Sequence, residues 1–133
     1  MARHVPTIQA AIAVIERGGR YLVSRRKPEG HLGGLWEFPG GKRRVGESWG
    51  ACLQRELYEE LGIVAKLVER LAPLRFRYPD RTVRLEVFRC TIVKGEPHPL
   101  DCQEIRWVKP VQLSRFRFPP ANQPLVELLM GLR

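Results

Sequence analysis

Hydrophobic and polar residues alternate along several stretches of the chain with the two-residue period of a half-buried strand. The clearest example is residues 82–93, where Val83 and Leu85 alternate with Arg84 and Glu86. A continuous apolar run near the start of the chain predicts a more deeply buried strand. The strands predicted from these patterns and from the turn residues between them are residues 7–16, 21–26, 36–38, 64–78, 82–93 and 104–108.

Residues 48–62 carry the longer period of an amphipathic helix, because Leu53, Leu57 and Leu61 are spaced by four and share one face. Ser48 is a good N-cap and Gly62 a good C-cap. A helical turn over 111–116 and a second helix over 123–132 follow. This order of strands and helices predicts an α/β fold, with a mixed sheet covered by helices on both faces, in a single domain of residues 1–133.

The polar side of the first helix carries three carboxylates, Glu56, Glu59 and Glu60, at positions i, i+3 and i+4. Like charges grouped on one helix face repel each other unless a cation lies among them. Oxygen ligands of this kind suit Mg²⁺ or Mn²⁺. The preceding Gly40-Gly41 pair allows a sharp turn, and Lys42 adds a positive charge beside it. The arrangement predicts a site for a metal ion and a polyphosphate.

Composition narrows the class of protein further. The formal net charge of +9 favours polyanionic partners such as nucleotides. A generally basic surface explains the charge equally well, so nucleic acid is not expected as a partner. No stretch has the length of a membrane span or the layout of a signal peptide. Three widely separated cysteines, Cys52, Cys90 and Cys102, are expected to be reduced thiols in a cytoplasmic protein.

The region around the carboxylates resembles the Nudix box, G-x5-E-x7-R-E-U-x-E-E-x-G-U with U aliphatic. An ordinary amphipathic surface helix is the alternative, but it does not explain the distances of the first two positions from the helix. The residues that fill the fixed places are Gly41, Glu47, Arg55, Glu56, Leu57, Glu59, Glu60, Gly62 and Ile63.

The resemblance implies an α/β/α sandwich and a hydrolase that uses Mg²⁺, or Mn²⁺ in its place. It implies that Glu56, Glu59 and Glu60 bind divalent ions with the Gly40 carbonyl, and Glu60 is the strongest ligand candidate. Glu56 is also a candidate for orienting or deprotonating the attacking water. A ligand and a base within one such cluster are not separable by sequence.

Three further residues complete the predicted machinery. Arg55 and Glu47 are expected to pair and so to brace the loop against the helix. Many members of the family carry an additional acid in a loop before a strand that contains tryptophan. Here Asp101 is the first candidate and Glu104 the second, ahead of Trp107. Loop acids without a catalytic role are the alternative.

Residues 35–42, 78–81 and 118–122 resemble the MutT group, whose members convert 8-oxo-dGTP to 8-oxo-dGMP and pyrophosphate by attack at the β-phosphorus. Tyr78 stands where that group has phenylalanine. Lys42, beside the glycine pair, is a candidate for binding the phosphates. The residues that the resemblance assigns to a nucleotide pocket are Arg26, His31, Glu37 and Phe38, with Asp80 and Arg81 in a loop closing over the base and Asn122 reading it.

Asn122 is the residue on which the choice of base depends. An asparagine amide presents a donor and an acceptor in one plane, which meet O6 and the adjacent N–H of an oxidised guanine. A relative that prefers pyrimidine nucleotides has aspartate at this place, so asparagine favours a purine. Capping of the helix that starts at Gln123 is the alternative role.

Two other functions remain open from the sequence. One is a broader (d)NTP or CTP pyrophosphatase of the same fold, and the other is a Nudix module that binds nucleotides without cleaving them. The intact box counts against the second. The chain is expected to act as a monomer on a nucleoside triphosphate.

Overall fold

A computed structural model describes residues 5–131 of the chain. Leu132, the predicted end of the second helix, lies outside the described residues. Two short 3₁₀ turns, Pro110–Arg115 and Pro120–Asn122, accompany the regular elements. The strands are β1 (Thr7–Arg17), β2 (Arg20–Arg25), β3 (Trp36–Glu37), β4 (Gly40–Lys42), β5 (Val64–Arg77), β6 (Thr82–Lys94) and β7 (Glu104–Val108), and the helices are α1 (Trp49–Leu61) and α2 (Gln123–Leu129).

The sheet is mixed, as predicted, and β1 is its central strand. β1 runs parallel to β6, with Ile8 opposite Val83 and Ile12 opposite Val87. β2 and β4 pair with β1 in the antiparallel sense. The main path through the sheet is β3-β2-β1-β6-β5, with β7 joined to β2. Long apolar stretches of β1 are buried because strands flank it on both sides.

Two tight turns set the register of the hairpins. Gly18 and Gly19 have φ of 59° and 75°, which is the left-handed pair that a two-residue hairpin turn needs. At the other hairpin, the Tyr78 N–H donates to the Arg81 carbonyl at 2.7 Å between β5 and β6. Both turns were predicted from the sequence.

The two faces of the sheet bury separate apolar clusters, because successive side chains of a strand point to opposite faces. One face packs under α1 and contains Ala11, Ala13 and Ile15 of β1 with the three leucines of the helix. The other contains Ala10, Ile12 and Val14, and it packs against Phe38 and α2. A sheet with a helix on each face is the predicted α/β/α sandwich.

Two sequence expectations need correction. Residues 40–42 were expected to form a turn, but Gly40–Lys42 is a short strand paired with Ala10 to Ile12 of β1. Glu86 was expected on the polar face of a half-buried strand, but it is 1% exposed. It lies on the face that α1 covers, where Arg70 and Arg84 donate to its Oε1 at 2.7 and 2.9 Å.

Two observations concern the environment of the protein. Across residues 5–131, none of the helices has the length and apolar character needed to span a membrane. Cys52, Cys90 and Cys102 are buried free thiols, as expected from their spacing. Burial raises the pKa of Cys90 and of Cys102 to about 12, so both thiols stay protonated near neutral pH.

Candidate active site

The ends of α1 are fixed by the residues that the sequence indicated. The Ser48 hydroxyl accepts a hydrogen bond from the Ala51 N–H at 3.1 Å. Gly62 adopts a left-handed conformation with φ of 72°, and its N–H donates to the Tyr58 carbonyl. Leu53, Leu57 and Leu61 are fully buried. With its ends and its apolar face fixed, α1 presents Glu56 and Glu60 toward β2 and β4.

The glycine pair allows a close approach between β4 and its neighbours. A Cβ atom on Gly41 would overlap the Glu56 carboxylate, and one on Gly40 would overlap the Ala11 carbonyl oxygen. Gly40 therefore brings β4 against β1, and Gly41 leaves space for the carboxylate. The sequence indicated a sharp turn at this pair. The structure shows instead that the absence of side chains allows β1 and the Glu56 carboxylate to approach the β4 backbone.

Glu60 is the most buried of the three carboxylates, with 7% of the residue exposed. The Ser24 hydroxyl donates to its Oε1 at 3.4 Å. Burial raises the pKa of Glu60 to about 8, and the charges of Glu37 and Glu56 add to the rise. Burial also raises the pKa of Glu37, although Arg26, 3.4 Å away, opposes it. Burial thus favours the protonated forms of both carboxyl groups, and a cation placed between them would favour their charged forms.

Arg55 organises the outer side of the acidic cluster. Its Nε and Nη2 donate to the two oxygens of Glu47 at 2.6 and 2.9 Å, which confirms the predicted pair. The Arg55 hydrogen bonds lower the pKa of Glu47 to about 2. The same guanidinium contacts Glu56 at 2.8 Å and Glu59 at 3.2 Å. Arg55 thus connects the loop after β4 to both carboxylates of the adjacent helical turn.

These oxygen donors suit a divalent cation, but their side chains do not form a complete set of ligands around one point. Glu56 and Glu60 supply hard carboxylate oxygens of the kind that such ions prefer, and Glu37 contributes charge nearby. Glu59 instead contacts Arg55 and, at 3.7 Å, Arg44. Within residues 5–131, no group of three or more Asp, Glu, His or Cys side chains stands ready to hold an ion. Glu56 and Glu60 are the residues best placed to hold it.

Beside the acidic cluster, a cavity of about 190 Å³ opens on the face of the sheet opposite α1. Its floor is apolar, formed by alternate residues of β1 and β6, and its walls are polar and basic. It brings together most of the predicted pocket residues. Those lining it are Arg26, His31, Glu37, Phe38, Lys42, Arg81 and Asn122, together with Gly40 and Gly41.

Asn122 occupies one end of the cavity. It is 6% exposed, and its side-chain carbonyl oxygen Oδ1 is buried without a hydrogen-bond partner in the part of the chain that the structure describes. The side chain makes no capping bond to α2, so the alternative capping role is wrong. A buried acceptor without a partner is costly in a native protein, and the residue to which it belongs lines the cavity.

Three further predicted residues lie outside both the cavity lining and the helix that carries Glu56, Glu59 and Glu60. Asp80 is exposed and accepts from Arg81 at 3.0 Å. Asp101 is exposed and pairs with Lys27 at 2.9 Å. Glu104 pairs with Arg25 at 3.4 Å and with Arg106 at 3.2 Å. A catalytic role for Asp101 or Glu104, and a base-closing role for Asp80, stay predictions.

Sequence reasoning missed the apolar floor of the cavity. The residues are Ile8, Ala10, Ile12, Val83 and Leu85. Alternation along 82–93 already indicated that Val83 and Leu85 share a face. The parallel register with β1, which places them beside Ile8 and Ala10, comes from long-range pairing and carries no local signal.

Comparison with known proteins agrees with this geometry. The model of the NUDIX domain family matches residues 10–128. The chain belongs to the Nudix family, and it is a Nudix hydrolase. The resemblance inferred from the nine fixed residues is confirmed. Members of the family generally need a divalent metal ion, in keeping with the carboxylates described above.

Several individual relatives span nearly the whole chain. An 8-oxo-dGTP diphosphatase of Haemophilus influenzae is 38% identical, with 93% of this chain and 92% of the relative covered. A CTP pyrophosphohydrolase of Escherichia coli K12 is 35% identical, with 95% and 93% covered. The solution structure of the E. coli ORF135 protein superposes with a TM-score of 0.81 at 34% identity, covering 97% of this chain and 92% of that one.

Proposed function

We propose that this Nudix hydrolase is an Mg²⁺-dependent nucleoside triphosphate pyrophosphohydrolase that converts 8-oxo-dGTP to 8-oxo-dGMP and pyrophosphate. Removing the oxidised nucleotide from the pool would prevent its incorporation into DNA. The observation that carries the proposal is Asn122, which lines the cavity and whose buried Oδ1 has no hydrogen-bond partner within residues 5–131. The relatives named as 8-oxo-dGTP diphosphatases support it.

The base would be selected by the hydrogen bonds of the Asn122 amide. Guanine presents two neighbouring acceptors, N7 and O6, along one edge. Oxidation at C8 turns N7 into an N–H donor, so that edge becomes a donor beside an acceptor. The Asn122 Oδ1 accepts from that N–H while its amide nitrogen donates to O6. Phe38, 1% exposed and stacked on Phe118 with 5.2 Å between ring centroids, provides an apolar surface near the base.

The opposite end of the cavity would hold the triphosphate. Lys42 is exposed beside the glycine pair, and Arg26 lines the wall, so both offer positive charge to phosphate oxygens. Glu56 and Glu60, with the Gly40 carbonyl, would hold the Mg²⁺ ion, and Glu59 is a further candidate ligand. When bound, the ion neutralises phosphate oxygens and lowers the pKa of a coordinated water.

The proton acceptor for the attacking water has several candidates. Glu56 stands nearest to the other proposed ligands, and its carboxylate also bonds Arg55. Asp101 and Glu104 are further candidates, each already paired with a basic residue. His31 and Arg81 line the cavity and, with Asp80, would contact the nucleotide from the open side. Attack at the β-phosphorus would yield the monophosphate and pyrophosphate.

Hydrolysis of CTP or of other cytidine nucleotides is the second candidate function. A CTP pyrophosphohydrolase is 35% identical over almost the same span of the chain, and the site for metal and phosphate would serve either substrate. The buried asparagine favours the purine, because the corresponding residue of a pyrimidine-preferring relative is aspartate.

Parallel steady-state assays decide between the two candidates. Pyrophosphate release is measured with Mg²⁺ from 8-oxo-dGTP, dGTP, dCTP and CTP, each with and without EDTA. A kcat/KM for 8-oxo-dGTP far above the other three supports the proposal. Equal or greater turnover of the cytidine nucleotides would leave the hydrolase activity in place and reject the proposed substrate.

The proposed location is the reducing cytoplasm, where this nucleotide pool lies. The protonated buried thiols agree with it.

A further inference from the structure

Tyr78 lies where three segments around the cavity meet. Its hydroxyl accepts a hydrogen bond from the Ala121 N–H at 3.3 Å. Its backbone N–H donates to the Arg81 carbonyl at 2.7 Å and so closes the turn that carries Arg81. Its ring meets the His31 ring edge-on, with centroids 6.1 Å apart. One residue therefore contacts the loop with His31 and the segment with Asn122 through its side chain, and the turn with Arg81 through its backbone.

The bond to Ala121 matters because it is a long-range hydrogen bond to the backbone directly before Asn122. Pro119 and Pro120 have no N–H, so the Ala121 N–H is the first donor on the approach to α2. Neither Pro119 nor Asn122 provides a side-chain cap at the start of the helical segment, although the first N–H groups of a helix need partners. The Tyr78 hydroxyl supplies the partner from a different part of the chain.

Ala121 directly precedes Asn122, so the Tyr78 bond fixes the backbone from which the Asn122 side chain extends. Distinguishing 8-oxoguanine from guanine requires the Asn122 amide to keep one orientation, because on the edge that it would meet O6 stays an acceptor while N7 changes from acceptor to donor. The contacts that hold this backbone then decide how strictly the amide reads the base.

We infer that the Tyr78 hydroxyl is a positioning group for base selection, acting through Asn122 by way of the Ala121 N–H. This inference rests on the proposed function, because it concerns the choice of base at the same site.

The test is Tyr78→Phe, which removes one oxygen and leaves the ring contacts with His31 and Phe76. The ratio of kcat/KM for 8-oxo-dGTP to that for dGTP is expected to fall about three- to tenfold, the range that loss of one hydrogen bond produces. The loss should fall mainly on KM for 8-oxo-dGTP. Tyr58→Phe is the matched control, because Tyr58 is 63% exposed on α1 and lies outside the cavity lining.

A double-mutant cycle shows whether Tyr78 acts through Asn122. In an Asn122→Ala background, Tyr78→Phe should leave the ratio unchanged, since the group that it positions is gone. Equal effects of Tyr78→Phe in both backgrounds would overturn the inference. So would a Tyr78→Phe enzyme that keeps the wild-type ratio of kcat/KM for 8-oxo-dGTP to that for dGTP. A wild-type enzyme without preference for 8-oxo-dGTP over dGTP would instead overturn the proposed function and the inference with it.

Discussion

The two ends of the cavity are built in different ways. At the end next to the carboxylates, Glu47, Arg55, Glu56 and Glu59 lie within 13 consecutive residues and share one bonded network. At the other end, Asn122 lies beside residues from distant segments, and the Tyr78 hydroxyl binds the backbone N–H of the preceding residue, Ala121. The end next to the carboxylates, here called the chemical end, is thus built largely from residues close in sequence. The end around Asn122, here called the selective end, depends on tertiary contacts. Changes at the first end should therefore affect every substrate equally, and changes at the second should affect one substrate more than another.

Glu60→Gln should produce the largest effect. Glu60 is buried and close to Glu37 and Glu56, so an amide would remove charge at the place where a cation is needed. Loss of several kcal/mol of transition-state stabilisation corresponds to a fall in kcat of about a thousandfold. The fall should be equal for 8-oxo-dGTP, dGTP and CTP, measured as pyrophosphate release.

Glu96→Gln is the control for that experiment, because Glu96 is exposed and pairs with Arg17 away from the cavity. A Glu60→Gln enzyme that releases pyrophosphate at the rate of the control would rule out Glu60 as a metal ligand. A loss restricted to one nucleotide would contradict the division of the site into a chemical end and a selective end.

Gly41→Ala should have the next largest effect. The added Cβ would overlap the Glu56 carboxylate, which is the movable end of a side chain, so the protein should still fold. Displacing that carboxylate should weaken activation by Mg²⁺ about tenfold to a hundredfold, as changes beside metal ligands usually do. The measurement is the Mg²⁺ concentration for half-maximal activity, and the thermal midpoint serves as a check on folding.

Gly50→Ala provides the matched control, because its Cβ would lie 3.3 Å from a methyl group of Leu67 and face no carboxylate. It also lies in α1, where alanine is favoured over glycine. If Gly41→Ala and Gly50→Ala need the same Mg²⁺ concentration, the close packing of Gly41 on Glu56 has no role in metal binding.

The same division explains how much the sequence revealed. The limits of α1 followed from Ser48 and Gly62, and the Arg55–Glu47 pair followed from the motif, because these interactions are local. The cavity floor did not follow, since it depends on the parallel register of β1 with β6. Gly40–Lys42 was mistaken for a turn because two glycines in three residues carry no strand pattern.

The selective end shows in another way what local sequence patterns fail to predict. From the sequence, Asn122 had two roles, because asparagine before a helix is a common cap. Only the structure shows that its buried Oδ1 has no hydrogen-bond partner within residues 5–131 and that the residue lines the cavity. The Tyr78 hydroxyl lies 43 positions away from the N–H that it binds, so no pattern along the chain indicates their contact.

Asn122→Asp tests the selective end and should have a smaller effect than the two changes above. The side chain keeps its size but loses the donor that would meet O6. The ratio of kcat/KM for 8-oxo-dGTP to that for dCTP should fall about tenfold, within the 1–3 kcal/mol that a paired amide contact contributes. Gln123→Glu introduces the same charge on the neighbouring exposed residue and should leave the ratio unchanged. If Asn122→Asp and Gln123→Glu have the same ratio, Asn122 takes no part in base selection.

The smallest effect concerns the stability of the metal-free protein as a function of pH. The pKa of Glu60 lies at about 8 in the folded chain, above its ordinary value of 4.5. Between these values the folded state binds more protons than the unfolded state, so the free energy of unfolding falls as pH rises. The raised pKa of Glu37 acts in the same direction. Urea titrations in EDTA should therefore show a lower free energy of unfolding at pH 8 than at pH 5.

Two variants of that titration separate Glu60 from the rest of the protein. Glu60→Gln should flatten the slope, because the amide does not titrate. Mg²⁺ added to the wild type should restore stability at pH 8, since a cation favours the charged carboxylates, but should have little effect at pH 5. A slope that persists in Glu60→Gln would place the titrating group elsewhere. The pH dependence thus detects the charge concentrated at the chemical end without any substrate, and Asn122→Asp should leave it unchanged if the two ends act independently.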